Sequence, residues 1–351
     1  MRRILAFIAT GWLSGSAAIA QPAIPTMVAP SGNIEATLSA DYQRLTSFGE
    51  RPSWSPDGKR IAFMEKSFGD AYEIDLATRR IRLLTNYPHA GFLRVQFLPN
   101  GDYLLIGARD FTDLDRTRYY DQEFWLLKSD LSALPVPLGQ KVSEGVAISR
   151  RSLRIAWAND FRTSPDALPE GECAIYVGDI ATGAAGPQIA NKREVVRIKG
   201  KGCRMEAQDF RDGDRELIYI VYRDTATVRL ADVFGVDLAT GRRTTYRQLE
   251  GEYNEAEGIF PDGQHVLVES DRGQNNPRGS KTLDIWKLRL QPQSSDFARI
   301  TRFGDLPGYK ATNPVVSPDG ASIAFQEGWT TDIAGSGHGL FLLKLPIGSK
   351  R

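Results

Sequence analysis

Cysteine, histidine and methionine are scarce in this chain: two, three and four among 351 residues. Two cysteines cannot supply a zinc ribbon, and His89, His265 and His338 fall at no metal-ligand spacing, so no metal site is expected. No Gly-x-Ser-x-Gly elbow occurs, which excludes the serine nucleophile of an α/β-hydrolase. No Gly-x-x-x-x-Gly-Lys-Ser/Thr run occurs either, so no phosphate-cradling loop is expected. Charge of one sign is also lacking: 44 Lys and Arg stand against 43 Asp and Glu. Nucleic-acid binding needs a basic footprint, and this chain has none. Nothing beyond the first 20 residues approaches the roughly 18 uninterrupted apolar residues of a membrane span, so no transmembrane segment is expected. These absences call for no cofactor and assign no catalytic residue.

The N-terminus reads as an address. Arg2-Arg3 precedes an apolar run from Ile4 to Leu13 and the small-residue site Ala18-Ile19-Ala20. That is the form of a secretory signal peptide over residues 1–20, cut before Gln21, and the run is too short to anchor. Its removal takes two of the basic residues and no acid, leaving 42 against 43 and a balance near −1. An exported, periplasmic protein is expected. Residues 21–40, rich in Pro, Ala, Ser and Gly, are expected to form a flexible linker. Residues 41–351 are expected to form a single domain.

What the chain has is a repeat. Trp54-Ser55-Pro56-Asp57-Gly58 precedes Ile61-Ala62-Phe63, which reads as strand, type I turn, strand. The unit returns at Ser317-Pro318-Asp319-Gly320 with Ile323-Ala324-Phe325, at Phe260-Pro261-Asp262-Gly263, and at Leu98-Pro99-Asn100-Gly101. Worn copies stand at Ser149-Arg150-Arg151-Ser152 and at Phe210-Arg211-Asp212-Gly213. The turn-closing positions 58, 101, 152, 213, 263 and 320 are spaced by 43 to 61 residues. Six such units are the spacing of a β-propeller.

Each unit continues with a third strand, a short turn and a fourth strand. Ala71 to Leu76 is followed by Ala77-Thr78-Arg79, Ala174 to Ile180 by Ala181-Thr182-Gly183, and Val233 to Leu238 by Ala239-Thr240-Gly241. The sixth unit runs out after its third strand, Gly339 to Leu345. Tyr42-Gln43-Arg44-Leu45-Thr46 resembles the fourth strands Ile81-Arg82-Leu83-Leu84-Thr85 and Ala298-Arg299-Ile300-Thr301. Residues 41–47 are therefore expected to pair with residues 339–345 and close the ring, removing two exposed sheet edges. The fold class is all-β: a six-bladed β-propeller of four-stranded antiparallel blades.

The repeat Pro-x-Trp-Ser-Pro-Asp-Gly-x-x-Ile-Ala-Phe resembles that of TolB-type (WD40-like) six-bladed propellers of the bacterial periplasm. The resemblance covers residues 41–345 and is sharpest at residues 52–63 and 314–325. Similar repeats occur in the propellers of prolyl-peptidase relatives and of oligogalacturonate lyases.

The turns within hairpins are short and alike, whereas the loops of the opposite face are long and dissimilar: Arg109 to Gln122, Ala158 to Glu172, Arg223 to Asp232, Ser270 to Thr282 and Gly328 to His338. Binding is usually built on such loops over a rigid scaffold, so function is expected on the long-loop face. The first strands begin there with Arg51, Arg94, Glu144, Glu206, Glu255 and Glu257, brought together from distant units. Converging carboxylates can bind a ligand, act as an acid–base pair, or form a solvated ion-paired rim. The loops add Tyr119, Tyr120, Arg162, Arg272, Trp329 and His338. The run Asp271-Arg272-Gly273-Gln274-Asn275 lacks the full spacing of a calcium loop. Cys173 and Cys203 lie on the same face, and an exported protein permits their oxidation to a disulfide. The function expected is a monomeric, non-enzymatic module binding a periplasmic protein or a carbohydrate through Arg94, Glu144, Glu206, Glu255, Glu257 and His338. The alternative is a glycan-cleaving hydrolase or lyase using the mouth carboxylates.

Overall fold

The computed structural model describes residues 28–184, 186–273, 279–333 and 335–346. The expected signal peptide, together with Gln274 and Asn275, lies outside the described residues. Among the described residues, 24 strands form six four-stranded antiparallel sheets. Blade one is Glu50–Trp54, Arg60–Met64, Ala71–Asp75 and Ile81–Leu83. Blade two is Phe92–Phe97, Tyr103–Gly107, Glu123–Leu127 and Val136–Lys141. Blade three is Val146–Ile148, Arg154–Asp160, Glu172–Gly183 and Gly186–Lys199. Blade four is Arg204–Arg211, Glu216–Asp224, Arg229–Asp237 and Arg243–Arg247. Blade five is Asn254–Ile259, His265–Ser270, Asp284–Arg289 and Phe297–Arg299. Blade six is Tyr309–Val316, Ser322–Trp329 and Leu340–Lys344, and its fourth strand is Tyr42–Arg44.

The closing register is Tyr42 with Leu343, Gln43 with Leu342 and Arg44 with Phe341. The ring closes as the strand-count argument requires. Arg44 fastens it further, reaching Glu327 at 2.7 Å and Glu35 at 2.6 Å while its guanidinium lies 4.4 Å above the Phe341 ring.

The Ser-Pro-Asp-Gly turns form as the residue types dictate. The amide of Gly58 donates to the Ser55 carbonyl at 2.9 Å, and that of Gly320 to Ser317 at 2.8 Å. The Asp57 carboxylate accepts from the Ser55 hydroxyl and from the Lys59 amide. Two other turns depart from expectation. In blade four the hairpin continues to Arg211 opposite Glu216, so the turn falls at residues 212–215. In blade three Ala181-Thr182-Gly183 is not a turn: Ala181 pairs with Gln188 and Thr182 with Pro187, extending the hairpin beyond the ring. Its tip lies near Gly186, whose φ of 108° suits the residue without a Cβ.

Each blade buries both faces, so the core divides into apolar layers between neighbours. Leu104, Phe124, Trp157 and Tyr176 pack blade two on blade three. Phe260, Leu267, Phe325 and Phe341 pack blade five on blade six, and Ile61, Phe63, Ala324 and Leu340 pack blade six on blade one. The segment expected to be a linker is partly built in. Ile34–Thr37 form a 3-10 turn capped by the Asn33 side chain, and Ile34 is 2% exposed in the layer beside blade six.

The first strands lie innermost, those of neighbouring blades against one another. Five of them are bulged: between Glu50 and Ser53, Phe92 and Arg94, Ala207 and Asp209, Ala256 and Ile259, and Thr312 and Val315. A bulge leaves one residue without a cross-strand partner and re-aims its side chain. Arg51 and Asn313, at two of these bulges, hold φ values of 54° and 51°. That conformation is disfavoured for a residue with a Cβ, by roughly 1–2 kcal/mol. At the bulges of blades one and five the unpaired residues include Arg51 and Glu257, which line the channel.

Cys173 and Cys203 form a disulfide with Cα atoms 5.9 Å apart, 30 residues apart in sequence. It joins the third strand of blade three to the crossover into blade four. Reduction, or Cys173→Ser, is expected to lower unfolding free energy by about 2–4 kcal/mol in urea titrations; an unchanged midpoint would mean that the crosslink is idle. Deleting the chain through Thr46 strips the closing strand from blade six and is expected to give aggregates in size-exclusion chromatography. Deletion only through Ser39 keeps the pairing and removes Ile34, which is expected to cost about 2 kcal/mol with the protein still monomeric. A monomeric, fully stable protein after the longer deletion would contradict the closure.

Candidate functional site

The bulged strands and the long loops surround a cavity of about 400 Å³ at the long-loop mouth of the channel. Arg51, Arg94, Glu144, Glu206, Glu255 and Glu257 all line it. Tyr119 joins them, carried by a short helix, Leu114–Tyr119, in the loop after the second strand of blade two. Asp113 caps that helix by accepting from the Arg116 amide at 2.7 Å. The other named residues lie elsewhere. His338 stacks on Trp329 with ring centroids 3.6 Å apart and contacts Asp332 at 2.9 Å, beside the cavity rather than in its wall. Arg162 pairs with Asp160, Arg272 pairs with Glu252 at 3.0 Å, and Tyr120 is exposed.

Several lining residues escaped the sequence argument. Arg204 begins the first strand of blade four and satisfies the same criterion as Glu206. Arg118 comes from the loop helix. Tyr222 and Glu269 lie on second strands, at the ends nearest the long-loop face, and Tyr253 immediately precedes the first strand of blade five. The signal that finds them is pairing register: Glu255 stands opposite Glu269, and Arg204 opposite Tyr222.

The charges form two groups joined through Arg204, which lies 3.2 Å from Glu144 and 3.7 Å from Glu206. In one group Glu144 holds three guanidiniums: Arg51, Arg118 at 2.6 Å and Arg204 at 3.2 Å. Burial alone would raise the Glu144 pKa, but Arg118, Arg51, Arg204 and Arg94 outweigh it and hold the carboxyl well below the usual range. One carboxylate among three guanidiniums leaves that group positive.

The other group is acidic. The Tyr222 hydroxyl lies 3.1 Å from Glu206 Oε1 and 2.6 Å from Glu255 Oε1. Tyr253 donates its hydroxyl to the other oxygen of Glu255. A phenol carries one proton, so Tyr222 can donate to only one of its two neighbours. Donation along the shorter bond goes to Glu255, and a protonated Glu206 then donates to the Tyr222 oxygen. Burial, with the charges of Glu144 and Glu255, pushes the Glu206 carboxyl up to about 8, in keeping with that proton. Glu269 is pushed up to about 8 by burial and Glu255, and accepts from the Asn313 amide. Burial, then Glu255 and Glu269, raises Glu257 well above the carboxylate range. Tyr222 and Tyr253 are raised well above the usual phenol value, first by burial and then by these glutamates.

Glu257 also borders a second cavity of about 450 Å³ at the short-turn mouth, lined by Trp54, Phe97, Ile148 and Val315. It therefore marks the waist between a polar mouth and a more apolar one.

Two predictions follow from the charge arrangement. Glu144→Gln leaves three guanidiniums facing one another in a buried site. It is expected to cost about 3–5 kcal/mol in denaturant unfolding, whereas Glu257→Gln, which removes a carboxyl held protonated, is expected to cost nearly nothing. Equal losses from the two would contradict this grouping. The second concerns pH. Glu206 and Glu269 keep a proton up to about pH 8 when folded, against an ordinary value near 4.5. The folded state then holds more protons between those values, so stability falls as pH rises from about 4.5 to about 8. Glu144 has the opposite sign: its contribution is present above the ordinary carboxylate value and is lost as pH falls toward the depressed one. Urea midpoints should therefore decline from pH 5 to about 8, and Glu206→Gln with Glu269→Gln should flatten that decline. A wild-type midpoint that does not decline over this interval would overturn the assignment.

No protein-family model matches the chain, and no curated protein matches it. Solved structures do. A protein described as TolB from Agrobacterium tumefaciens is similar at 17% identity with a TM-score of 0.50, over 78% of this chain and 97% of that one. TolB from Acinetobacter baumannii is similar at 10% identity with a TM-score of 0.51, over 86% of this chain but only 65% of that one, just under two thirds of its length. A luciferin-regenerating enzyme is similar at 12% identity with a TM-score of 0.51, over 88% of this chain and 95% of that one. At these identities the likeness is one of fold, and that fold is shared by TolB proteins and by a luciferin-regenerating enzyme.

Proposed function

We propose that the protein is an exported, non-enzymatic binding module that takes a small polar ligand, such as a carbohydrate, at the long-loop mouth of its channel. The observation that carries this reading is the convergence of charged and phenolic groups on one cavity of about 400 Å³, a volume in the range of small-molecule sites. Tyrosine hydroxyls and carboxyls that hold protons offer donors as well as acceptors, which suits a ligand rich in hydroxyl groups. The Cys173–Cys203 disulfide supports an oxidising compartment such as the periplasm, and the apolar run after Arg2-Arg3 supports export.

One observation favours a glycan-cleaving reading. The two bonds to Tyr222 limit the separation of Glu206 Oε1 and Glu255 Oε1 to at most their sum, 5.7 Å. Retaining glycosidases hold their two carboxyls about 5–5.5 Å apart. The same bonds speak against it. The Tyr222 hydroxyl occupies the space between the carboxyls, where the reacting sugar carbon would have to lie. Binding is therefore the reading that the geometry supports better.

A thermal-shift screen of the mature protein against small polar ligands, oligosaccharides and amino acids among them, tests it, since a ligand bound only by the native state raises the melting temperature by mass action. A stabilising ligand is expected, with the shift lost in Glu206→Gln and in Glu255→Gln and kept in Asp57→Asn at the opposite face, and with no product formed on long incubation. Cleavage of an oligosaccharide abolished by either mouth variant would replace this reading with the enzymatic one. A shift lost equally in Asp57→Asn would place the site elsewhere.

A further inference from the structure

The charges at the mouth are not all satisfied by one another. Arg51, Arg118 and Arg204 share Glu144, and Arg229 pairs with Asp224 at 2.7 Å. Arg94 is different. Among the described residues no hydrogen bond or ion pair involves its side chain, and its Nε is buried without a partner. The acids repeat the pattern. Glu206 and Glu255 bond to tyrosines, and Glu269 bonds to Asn313. Glu257 alone of these four has no side-chain hydrogen bond or ion pair among the described residues.

Arg94 and Glu257 belong together by position. Arg94 is on the first strand of blade two and Glu257 on that of blade five, each at a bulge. In a ring of six, blades two and five are opposite. The two side chains line the same cavity and feel each other's charge, yet they do not meet as an ion pair. A cation and an acid held apart across a cavity, each lacking a partner of its own, are costly unless something between them supplies both.

We propose that this cavity binds a small zwitterion, with its anionic group on the Arg94 guanidinium and its ammonium group on Glu257, so that the ligand spans the channel from blade two to blade five. The proposal rests on the mouth being a ligand site and specifies the ligand's charge. A guanidinium with a free fork suits a carboxylate or another planar oxyanion. A neutral sugar would leave both Arg94 and Glu257 unpaired. A simple anion would answer Arg94 and leave Glu257 without a partner. A simple cation would do the converse beside Arg118 and Arg204. Glu257 is held protonated by burial and by its acidic neighbours in the free protein. The entering ammonium ionises it, the proton leaves to solvent, and the carboxylate–ammonium pair remains.

The test uses unbranched amino acids of increasing charge separation: glycine, β-alanine, 4-aminobutyrate and 6-aminohexanoate. Propionate and propylammonium serve as single-charge controls and maltose as the neutral one. Each is titrated into the full protein and followed by thermal shift and calorimetry. One length is expected to bind at least about tenfold more tightly than either single-charge control, equivalent to about 1.4 kcal/mol. Arg94→Gln and Glu257→Gln should each abolish that advantage. Neither side chain has a partner to lose, so both variants should melt within a few degrees of wild type and leave the comparison readable. If no amino acid exceeds the controls, or if the advantage survives both variants, the zwitterion is wrong. In that event a maltose shift that depends on Glu255 would leave the binding-module reading standing, and the absence of any shift would remove both.

Discussion

Three residue pairs at the seam, Tyr42 with Leu343, Gln43 with Leu342 and Arg44 with Phe341, hold this protein in a ring. A four-stranded blade has two apolar faces and cannot bury either alone. Each blade finds cover only on its neighbours, so the last must meet the first, and a propeller that fails to close exposes two faces and two strand edges. The chain meets that demand with a borrowed strand and reinforces it with Arg44, which ties blade six to the segment that carries Ile34. The channel mouth inherits its geometry from this closure. Arg51 on blade one reaches Glu144 of blade three, and Arg94 on blade two faces Glu257 on blade five, only because the ring sets six strand starts around one axis.

Bringing charged strand starts together creates the problem that the rest of the mouth addresses. Four glutamates in one group cannot all ionise in a buried space. The structure answers with protons and phenols in that group, through Tyr222 and Tyr253, and with three guanidiniums on one carboxylate in the other. The bulges are part of the same answer. They interrupt strand pairing and, at Arg51 and Asn313, force unfavourable backbone angles in order to point side chains inward. Buried charge concentrated at one mouth, while the opposite mouth carries the short turns and a more apolar cavity, is the asymmetry expected when one face binds and the other supports.

The fold was legible in the sequence because its determinants are local. Ser55-Pro56-Asp57-Gly58 and Ser317-Pro318-Asp319-Gly320 specify a turn from four residues, and the missing fourth strand follows from counting. Legibility fell where the determinant was pairing. Ala181-Thr182-Gly183 has turn composition, yet Ile180 opposite Ile189 and Ala181 opposite Gln188 continue the strand. Ile34 lay within a stretch of linker composition, and only its place beside blade six shows it to be core. At the site, the strand starts from Arg51 to Glu257 were readable because topology alone gathers them. Tyr222 and Glu269 were not, since they come from second strands and reach the mouth only through register. His338 was drawn in by its loop, but stacking on Trp329 holds it outside the cavity wall.

A mouth built to bind and a solvated rim of surface ion pairs differ in how their carboxyls titrate. The most direct measurement is a carbon NMR titration of glutamate side chains, selectively labelled, from about pH 4 to about pH 9. The account predicts at least two carboxyls with midpoints near 8, assigned by their loss in Glu206→Gln and Glu269→Gln. It also predicts one carboxyl, lost in Glu144→Gln, that stays ionised throughout. Glutamates that all titrate near the ordinary value of about 4.3 would show a hydrated rim, and the mouth would then be no built site.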